Sequence, residues 1–211
     1  MIIKPELTIV DVFRKNPINE LTFKEIMGLS KKASRSWVFN VLQKFTSYHM
    51  LIKREVNNSS LYKANLESPL LLSYFMSLDF ADAHISSNKE LPYDLILELL
   101  RKVKEVTPFF IMVIFGSYAE RKNHKKSDID VAFIVDDNLT GKRIHPYIEN
   151  ISRRSVPRID YSIVVKDDFL KMLVRKEENL GKEIYKKHLI IWGNEQYYQL
   201  VKEAESHGFK G

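Results

Sequence analysis

Two aspartates, Asp128 and Asp130, stand two residues apart in the stretch SDIDVAFIVDD, at the head of an apolar run. Such a run reads as a strand, and side chains alternate along a strand, so both carboxylates point to one face. Like charges that close repel one another and resist desolvation. A divalent cation removes that penalty: Mg²⁺ takes oxygen ligands, one or two carboxylates together with substrate phosphates and water. The plainer alternative is a pair of solvated carboxylates at a strand edge. A third acid, Asp160, lies within a later apolar run, VPRIDYSIVV. If that run pairs beside the first, Asp160 completes a carboxylate triad, two ligands from one strand and one from its neighbour. A triad of this kind suits a two-metal displacement at phosphorus, with the ions roughly 3.5–4 Å apart. Asp160 is then the acid suited to orient the nucleophile or accept its proton. The alternative for Asp160 is a surface position on an edge strand.

A second feature lies upstream. The run PFFIMVIF, bounded by Pro108 and Gly116, reads as a buried strand. Gly116-Ser117 then turns the chain into a short helix. Glycine permits unusual backbone angles and close approach of a ligand. Backbone N–H groups at a turn that opens a helix suit a phosphate. Tyr118 either lies beside a nucleotide or stacks on a neighbouring helix. The loop that follows, RKNHKK, brings Lys122, His124, Lys125 and Lys126; a solvated hairpin is the simpler reading for most of them.

These groups need a scaffold, and 211 residues with 45 % hydrophobic content can supply one. There is no cysteine, which excludes disulfide frameworks and thiolate metal sites. The six histidines show no HxxxH or HExxH spacing, so zinc is not indicated. No window approaches the eighteen or so uncharged apolar residues of a membrane span. The N-terminus lacks the basic and long apolar regions of a signal peptide. The expectation is a cytoplasmic protein without membrane segments.

Charge is uneven along the chain. Residues 1–66 hold 11 Lys and Arg against 5 Asp and Glu, whereas residues 67–211 hold 22 of each. The whole net charge of +6 thus falls in the first third. An excess so placed points to a polyanionic partner, or else serves solubility. Leu7, Val10 and Phe13 have helical spacing, stopped at Asn16-Pro17. Thr22 with Glu25 three positions on predicts a capped short helix ending near Gly28. Val38, Val41, Leu42 and Phe45 mark a longer helix. LIKREVNNSSLYKANL reads as two strands about a turn. Three helices and a hairpin resemble a winged helix-turn-helix domain, whose third helix enters the major groove of double-stranded DNA with the hairpin as wing. Lys31, Lys32, Arg35 and Lys44 are the candidate contacts on the helices, and Lys53, Arg54 and Lys63 those beside the wing. Winged helices also serve in protein docking and dimerisation. Residues 67–90 read as a helical connector, with Ser68 as cap and Pro69 at the first helical position, and SSNKELPYDL as linker. The aromatic residues of that connector fit core or homodimer packing.

Taken together, GSYAERKNHKKSDIDVAFIV resembles the Gly-Ser…Asp-x-Asp signature of the DNA polymerase β-like nucleotidyltransferase superfamily, in its small minimal nucleotidyltransferase branch. Gly116, Ser117, Ala119, Ser127, Asp128 and Asp130 occupy the matching positions at the same spacing, and Asp160 matches the third carboxylate by order and context. Arg121 departs from the pattern, standing where a glycine is usual; its guanidinium either crowds the phosphate approach or binds the triphosphate. The resemblance spans about residues 90–205. It implies a small mixed-sheet nucleotidyltransferase domain over 91–211; with the winged helix read over 1–66 and the helical connector over 67–90, the expected fold class is α+β or α/β. It also implies transfer of a nucleoside monophosphate from an NTP, with ATP expected, to a hydroxyl. Two Mg²⁺ ions would bind Asp128, Asp130 and Asp160, and Gly116, Ser117, Arg121 and Ser127 would bind the nucleotide. A protein acceptor of the HEPN type is one implied partner. The alternative is a DNA-binding transcriptional regulator whose second domain senses nucleotide or dimerises without turnover.

Overall fold

The computed structural model describes residues 4–32, 34–85, 91–124 and 127–211, with 84 and 85 described by their backbone alone. The chain divides into two compact units, Met1–Leu78 with Lys210–Gly211, and Asp79–Phe209.

In the first unit a 3-10 turn, Lys4–Glu6, leads into α1 (Leu7–Lys15), which buries Ile9, Val10, Val12 and Phe13. A two-residue strand, β1 (Leu21–Thr22), runs directly into α2 (Phe23–Ser30). The entry is a capping box: the Thr22 hydroxyl accepts the Glu25 N–H, and the Glu25 carboxylate accepts the Thr22 N–H. Caps of this kind stabilise a helix by about 0.5–2 kcal/mol relative to alanine. Helix α3 (Arg35–Ser47) is capped by Ser34 and buries Val38, Val41, Leu42 and Phe45, the stripe predicted for it. Strands β2 (Leu51–Val56) and β3 (Ser59–Ala64) form an antiparallel hairpin. Its two turn residues, Asn57 and Asn58, have φ of +48° and +62°; a two-residue hairpin turn of the primed type needs positive φ at both, and asparagine tolerates it. β1 pairs along the free edge of β3, giving the order β1-β3-β2. The boundary between the units falls within α4 (Pro69–Phe80). A π-helical turn, Ala81–Ile85, follows α4. Residues 86–90, the first half of the predicted linker, lie outside the described residues.

The second unit is built on a four-stranded sheet. Helix α5 (Tyr93–Val106), ended by Thr107-Pro108 as predicted, precedes β4 (Phe110–Phe115) and a single helical turn, α6 (Gly116–Ala119). Then come β5 (Ile129–Val135), α7 (Asn138–Arg154), β6 (Ile159–Val165) and α8 (Lys166–Val174). Helix α9 (Leu180–Lys186), β7 (Leu189–Trp192) and α10 (Asn194–Ser206) complete it. The strand order is β6-β5-β4-β7; β5 and β6 are parallel, and the other pairs are antiparallel. A parallel pair cannot be joined by a tight turn, and α7 supplies the crossover.

Alternation along the strands sorts their side chains between two faces. Met112, Ile114, Val131 and Phe133 join Ile96, Leu99 and Val103 of α5 and Ile144, Ile148 and Ile151 of α7 in one buried cluster. On the opposite face Ile111 and Ile134 line a cavity of about 360 Å³ with Leu170 of α8 and Leu200 of α10. Asp130 shares the parity of Ile134 and so belongs to this second face. Asp160 shares that face through its pairing with Asp130, so two acids stand on a largely apolar face, a placement that the strand pattern itself does not require.

Candidate active site

β4 and β5 are central strands, which is why both are apolar nearly throughout. β5 runs antiparallel to β4 so that Asp130 is the register partner of Phe115, the last residue of β4. It runs parallel to β6 so that Asp130 is also the register partner of Asp160. Parallel partners project to the same side, and the two carboxylates therefore share one face at one end of the sheet. Asp128 precedes β5 in extended chain, exposed, two residues before Asp130. The start of β5 is tied to the approach of β6 by the Ile129 N–H, which donates to the Arg158 carbonyl at 2.8 Å.

Gly116 closes this corner. Its φ is +62°, and a Cβ built on it would fall against the Asp130 carboxylate, 3.0 Å from Cγ and closer still to Oδ2. The position thus needs glycine twice, for its backbone angle and for the space that Asp130 fills. Ser117 is half-buried, and its carbonyl accepts the Lys122 N–H at 3.0 Å. Tyr118 is buried in the hydrophobic cluster under α5 and α7, which decides its role in favour of packing. Arg121 has φ of +57°. The left-handed conformation explains why glycine suits this position in the family pattern; here an exposed arginine adopts it. The Ser127 hydroxyl accepts the His124 N–H at 2.9 Å while the Ser127 N–H donates to the His124 carbonyl at 2.8 Å. Ser127 therefore closes the turn that delivers the chain into β5. Lys122 pairs with Glu120 at 2.8 Å. Lys125 and Lys126 lie outside the described residues.

The electrostatics single out Asp130. Burial pushes its carboxyl above the usual carboxylate range, and the charges of Asp160, Glu183 and Asp128 push it further in that direction. Glu183, on α9, is not among the candidates that the sequence suggests. Nothing in the local pattern of LGKEIYK marks it; only the folding of α9 onto the sheet brings it near. At the far end of α6, Lys122 first and then Lys187 hold the Glu120 carboxyl below its usual range. Among the described residues no group of three or more His, Cys, Asp or Glu is placed so that it could hold a metal ion. The donor set is nonetheless of the right chemistry for Mg²⁺: carboxylate oxygens only, without nitrogen or sulfur. One of them is half-buried among like charges, the condition that a bound cation relieves.

The predicted DNA contacts fall into two groups. Lys44 is turned to the buried Glu6 at 2.9 Å, Lys53 pairs with Glu55 at 2.7 Å, and Arg54 pairs with Glu20 at 2.5 Å. Lys31, Lys32 and Arg35 instead gather at the junction of α2 and α3. Lys31 ends α2 with φ of +53°. Lys32 rests over the Trp37 ring at 5.6 Å and Arg35 over the Phe23 ring at 5.5 Å. Arg35 also lines an open groove of about 600 Å³ with Ser36, Phe39, Asn40, Ser59 and Ser60. Lys63 lies on β3.

With this geometry in view, comparison with known proteins is informative for the second unit. Residues 94–197 match the family model described as Polymerase beta, Nucleotidyltransferase. That stretch is therefore similar to nucleotidyltransferase domains of the polymerase β kind, over just under half of the chain. It contains β4, α6, β5, β6 and α9, and hence every acid described above. No curated protein matches the sequence. A solved structure described as "Crystal structure of the toxin-antitoxin with AMP-PNP" is 19 % identical, over 56 % of this chain and 86 % of that one. Its TM-score of 0.36 is too low to carry an argument. No helix among the described residues is long and apolar enough to cross a membrane.

Proposed function

We propose that the second unit transfers a nucleoside monophosphate, AMP from ATP in the first instance, to a hydroxyl acceptor. The observation that carries the reading is the pairing of Asp130 with Asp160 in register, beside a glycine turn that fits against the Asp130 carboxylate. Asp128, Asp130 and Asp160 would hold two Mg²⁺ ions. Bound there, the ions would neutralise triphosphate charge and acidify the attacking hydroxyl. The chain's own residues have separate tasks. The turn at Gly116-Ser117 brings backbone close to the nucleotide without a side chain intervening. Arg121, exposed and of fixed charge, meets the phosphates from the rim. Asp160, the exposed member of the register pair, orients the acceptor hydroxyl and takes its proton. The hydroxyl oxygen forms the new bond to the α-phosphorus, and the bond to the departing pyrophosphate breaks. Asp130, half-buried, sets the position of the other two. Such reactions depend chiefly on positioning and charge stabilisation.

For the first unit we propose a winged helix-turn-helix that binds double-stranded DNA. The order helix, strand, two helices and hairpin, with the net charge concentrated in residues 1–66, supports this. The junction of α2 and α3, with Lys31, Lys32 and Arg35, is the face left available, because Lys44, Lys53 and Arg54 are already paired. A second reading has a specific observation in its favour. Arginine in a left-handed position at the rim, and the lack among the described residues of any group of three or more acids or histidines placed to hold a metal, fit a DNA-binding regulator that senses nucleotide without turnover.

Incubation with ATP labelled at the α-phosphate, Mg²⁺ and candidate acceptors, including HEPN-type proteins, separates the two. Label transfer that is lost in Asp130→Asn and Asp160→Asn supports the enzyme. Saturable nucleotide binding with no transfer to any acceptor, alongside salt-sensitive DNA binding, supports the regulator.

A further inference from the structure

The solvent side of α3 is built unlike that of an ordinary surface helix, which carries charged groups there. Its sequence, RSWVFNVLQKFTS, contains no acid in 13 residues. Val38, Val41, Leu42 and Phe45 turn inward, whereas Arg35, Ser36, Phe39, Asn40 and Gln43 are exposed. Spacings of three and four residues join these exposed positions into one patch. Only Arg35 among them is charged. Phe39 stands 50 % exposed, although the inner stripe already fills the core without it. The carboxamides of Asn40 and Gln43 have no hydrogen-bond partner among the described residues.

All of the patch but Gln43 lines the open groove of about 600 Å³. Across from it stand Phe23 and Lys24 of α2 with Ser59 and Ser60 of the hairpin. Lys24 and Arg35 are cations, and no acid lines the groove. The acids next in sequence to its lining are engaged elsewhere. Glu25 is turned back on Thr22 by the capping box, and Glu55 takes the Ser60 hydroxyl at 2.7 Å and the Lys53 ammonium at 2.7 Å. A concave, cationic surface between a helix and a hairpin suits a polyanion. An α-helix, about 10–12 Å across with its side chains, fits the major groove of duplex DNA, which is about 12 Å wide. Phosphate contacts position a protein on DNA but carry no sequence information, which comes from contacts with base edges. Cations alone would bind any duplex; Phe39 and Asn40 are of the kind that tells one duplex from another.

We propose that α3 reads base edges through Phe39 and Asn40, and that the sequence they select contains an A·T pair at their position. The inference rests on the reading of the first unit as a DNA-binding winged helix. An asparagine carboxamide pairs with adenine through N6 and N7 together, and a phenylalanine ring makes apolar contact with the thymine methyl. A G·C pair offers neither the methyl nor a donor beside an acceptor on its purine. Lys24 and Arg35 meet phosphates and set the register.

The test begins with selection of duplexes from a random-sequence pool by the full chain. Wild type, Asn40→Ala, Phe39→Ala and Arg35→Ala are then compared on the selected duplex, on one with the A·T pair changed to G·C, and on an unselected duplex. Wild type should prefer the selected duplex to the G·C duplex by about 10-fold or more. Asn40→Ala and Phe39→Ala should each lose most of that preference, yet bind the unselected duplex as wild type does, with the same salt slope. Arg35→Ala should weaken all three duplexes alike and keep the preference. Salt-dependent binding by wild type that enriches no sequence, or a sequence without an A·T pair, overturns the base reading and leaves DNA binding standing. Full preference in both Asn40→Ala and Phe39→Ala overturns it equally. If Phe39→Ala keeps the preference and instead changes the sedimenting mass, the groove faces protein. If wild type binds no duplex at all, the DNA-binding reading itself fails and the inference falls with it.

Discussion

Both units carry acid–base pairs, yet one end of the sheet in the second unit departs from that pattern. In the first, acids and bases have found each other: Lys44 meets Glu6, Lys53 meets Glu55, Arg54 meets Glu20. In the second, at one end of the sheet, Asp130 and Asp160 are register partners, and burial first, then the charges of Asp160, Glu183 and Asp128, push the Asp130 carboxyl above its usual range. Compensated charge is what a fold keeps at little cost, and exposed pairs of that kind contribute at most about 1 kcal/mol. Uncompensated charge must be offset by something outside the chain. On the proposed function, the difference separates side chains that serve the fold from those that would meet a ligand. It also divides the basic residues of the first unit, since only Lys31, Lys32 and Arg35 gather where α2 meets α3.

The largest effect that would break this comparison is at Gly116. Gly116→Ala places a methyl against the Asp130 carboxylate at a φ of +62°. Either the carboxylate or the turn must move, and misplacement by about 1 Å typically costs on the order of 100-fold in rate. Nucleotidyl transfer by this variant should fall by at least that factor, measured as initial rate of label incorporation, with the circular dichroism spectrum unchanged. A Gly116→Ala protein that transfers label at the wild-type rate would show that Asp130 is not a fixed part of the site.

How much of this could be read in the sequence differs from residue to residue, for physical reasons. The Thr22–Glu25 capping box was legible because its partners are three residues apart and the motif needs no tertiary context. Asp128 and Asp130 were legible because strand alternation is a local rule. Asp160 was legible only conditionally, since its value depended on β6 lying parallel to β5 in a register that one residue of slip would undo. Glu183 was not legible, because its position follows from the pairing of Leu189 with Ile114 and from the packing of Gly181 on Met172. Lys44 illustrates the converse. A lysine on the third helix reads as a DNA contact, yet its partner Glu6 lies 38 positions away, beyond the reach of a local pattern. Tyr118 was ambiguous for the same reason: an aromatic next to a glycine turn fits a ligand and a core equally until the helices are placed.

A smaller effect sharpens the division within the first unit. Arg35→Ala should weaken binding to duplex DNA and reduce the log–log salt slope by about 1, the signature of one lost phosphate contact. Lys44→Ala should leave that slope unchanged. Its cost should appear in stability, because it removes the ion pair with Glu6, whose side chain is 9 % exposed; a hydrogen bond to a charged group contributes about 1.5–3 kcal/mol. Fluorescence anisotropy over a salt series, with thermal melts of the same samples, measures both. Equal loss of salt slope in the two variants would mean that pairing does not remove a lysine from the DNA-facing set.

The smallest effect concerns acid at Asp130 and has a defined sign. Burial first, then Asp160, Glu183 and Asp128, raise this carboxyl above 3.8, its ordinary value. The folded chain therefore holds the proton more tightly than the unfolded chain does. Stability from this group declines as pH rises from the ordinary carboxylate range through the raised value, and stays lower at neutrality. Asp130→Asn removes the penalty. In EDTA at pH 7 the variant should melt above wild type, and the gap should close as the pH is lowered into the carboxylate range. Added Mg²⁺ should reverse the order, because only the wild type gains from a ligand bound to the folded state. If Asp130→Asn instead melts below wild type in EDTA at pH 7, the charge on Asp130 is compensated within the chain. The contrast between a paired first unit and an unpaired sheet end would then be false.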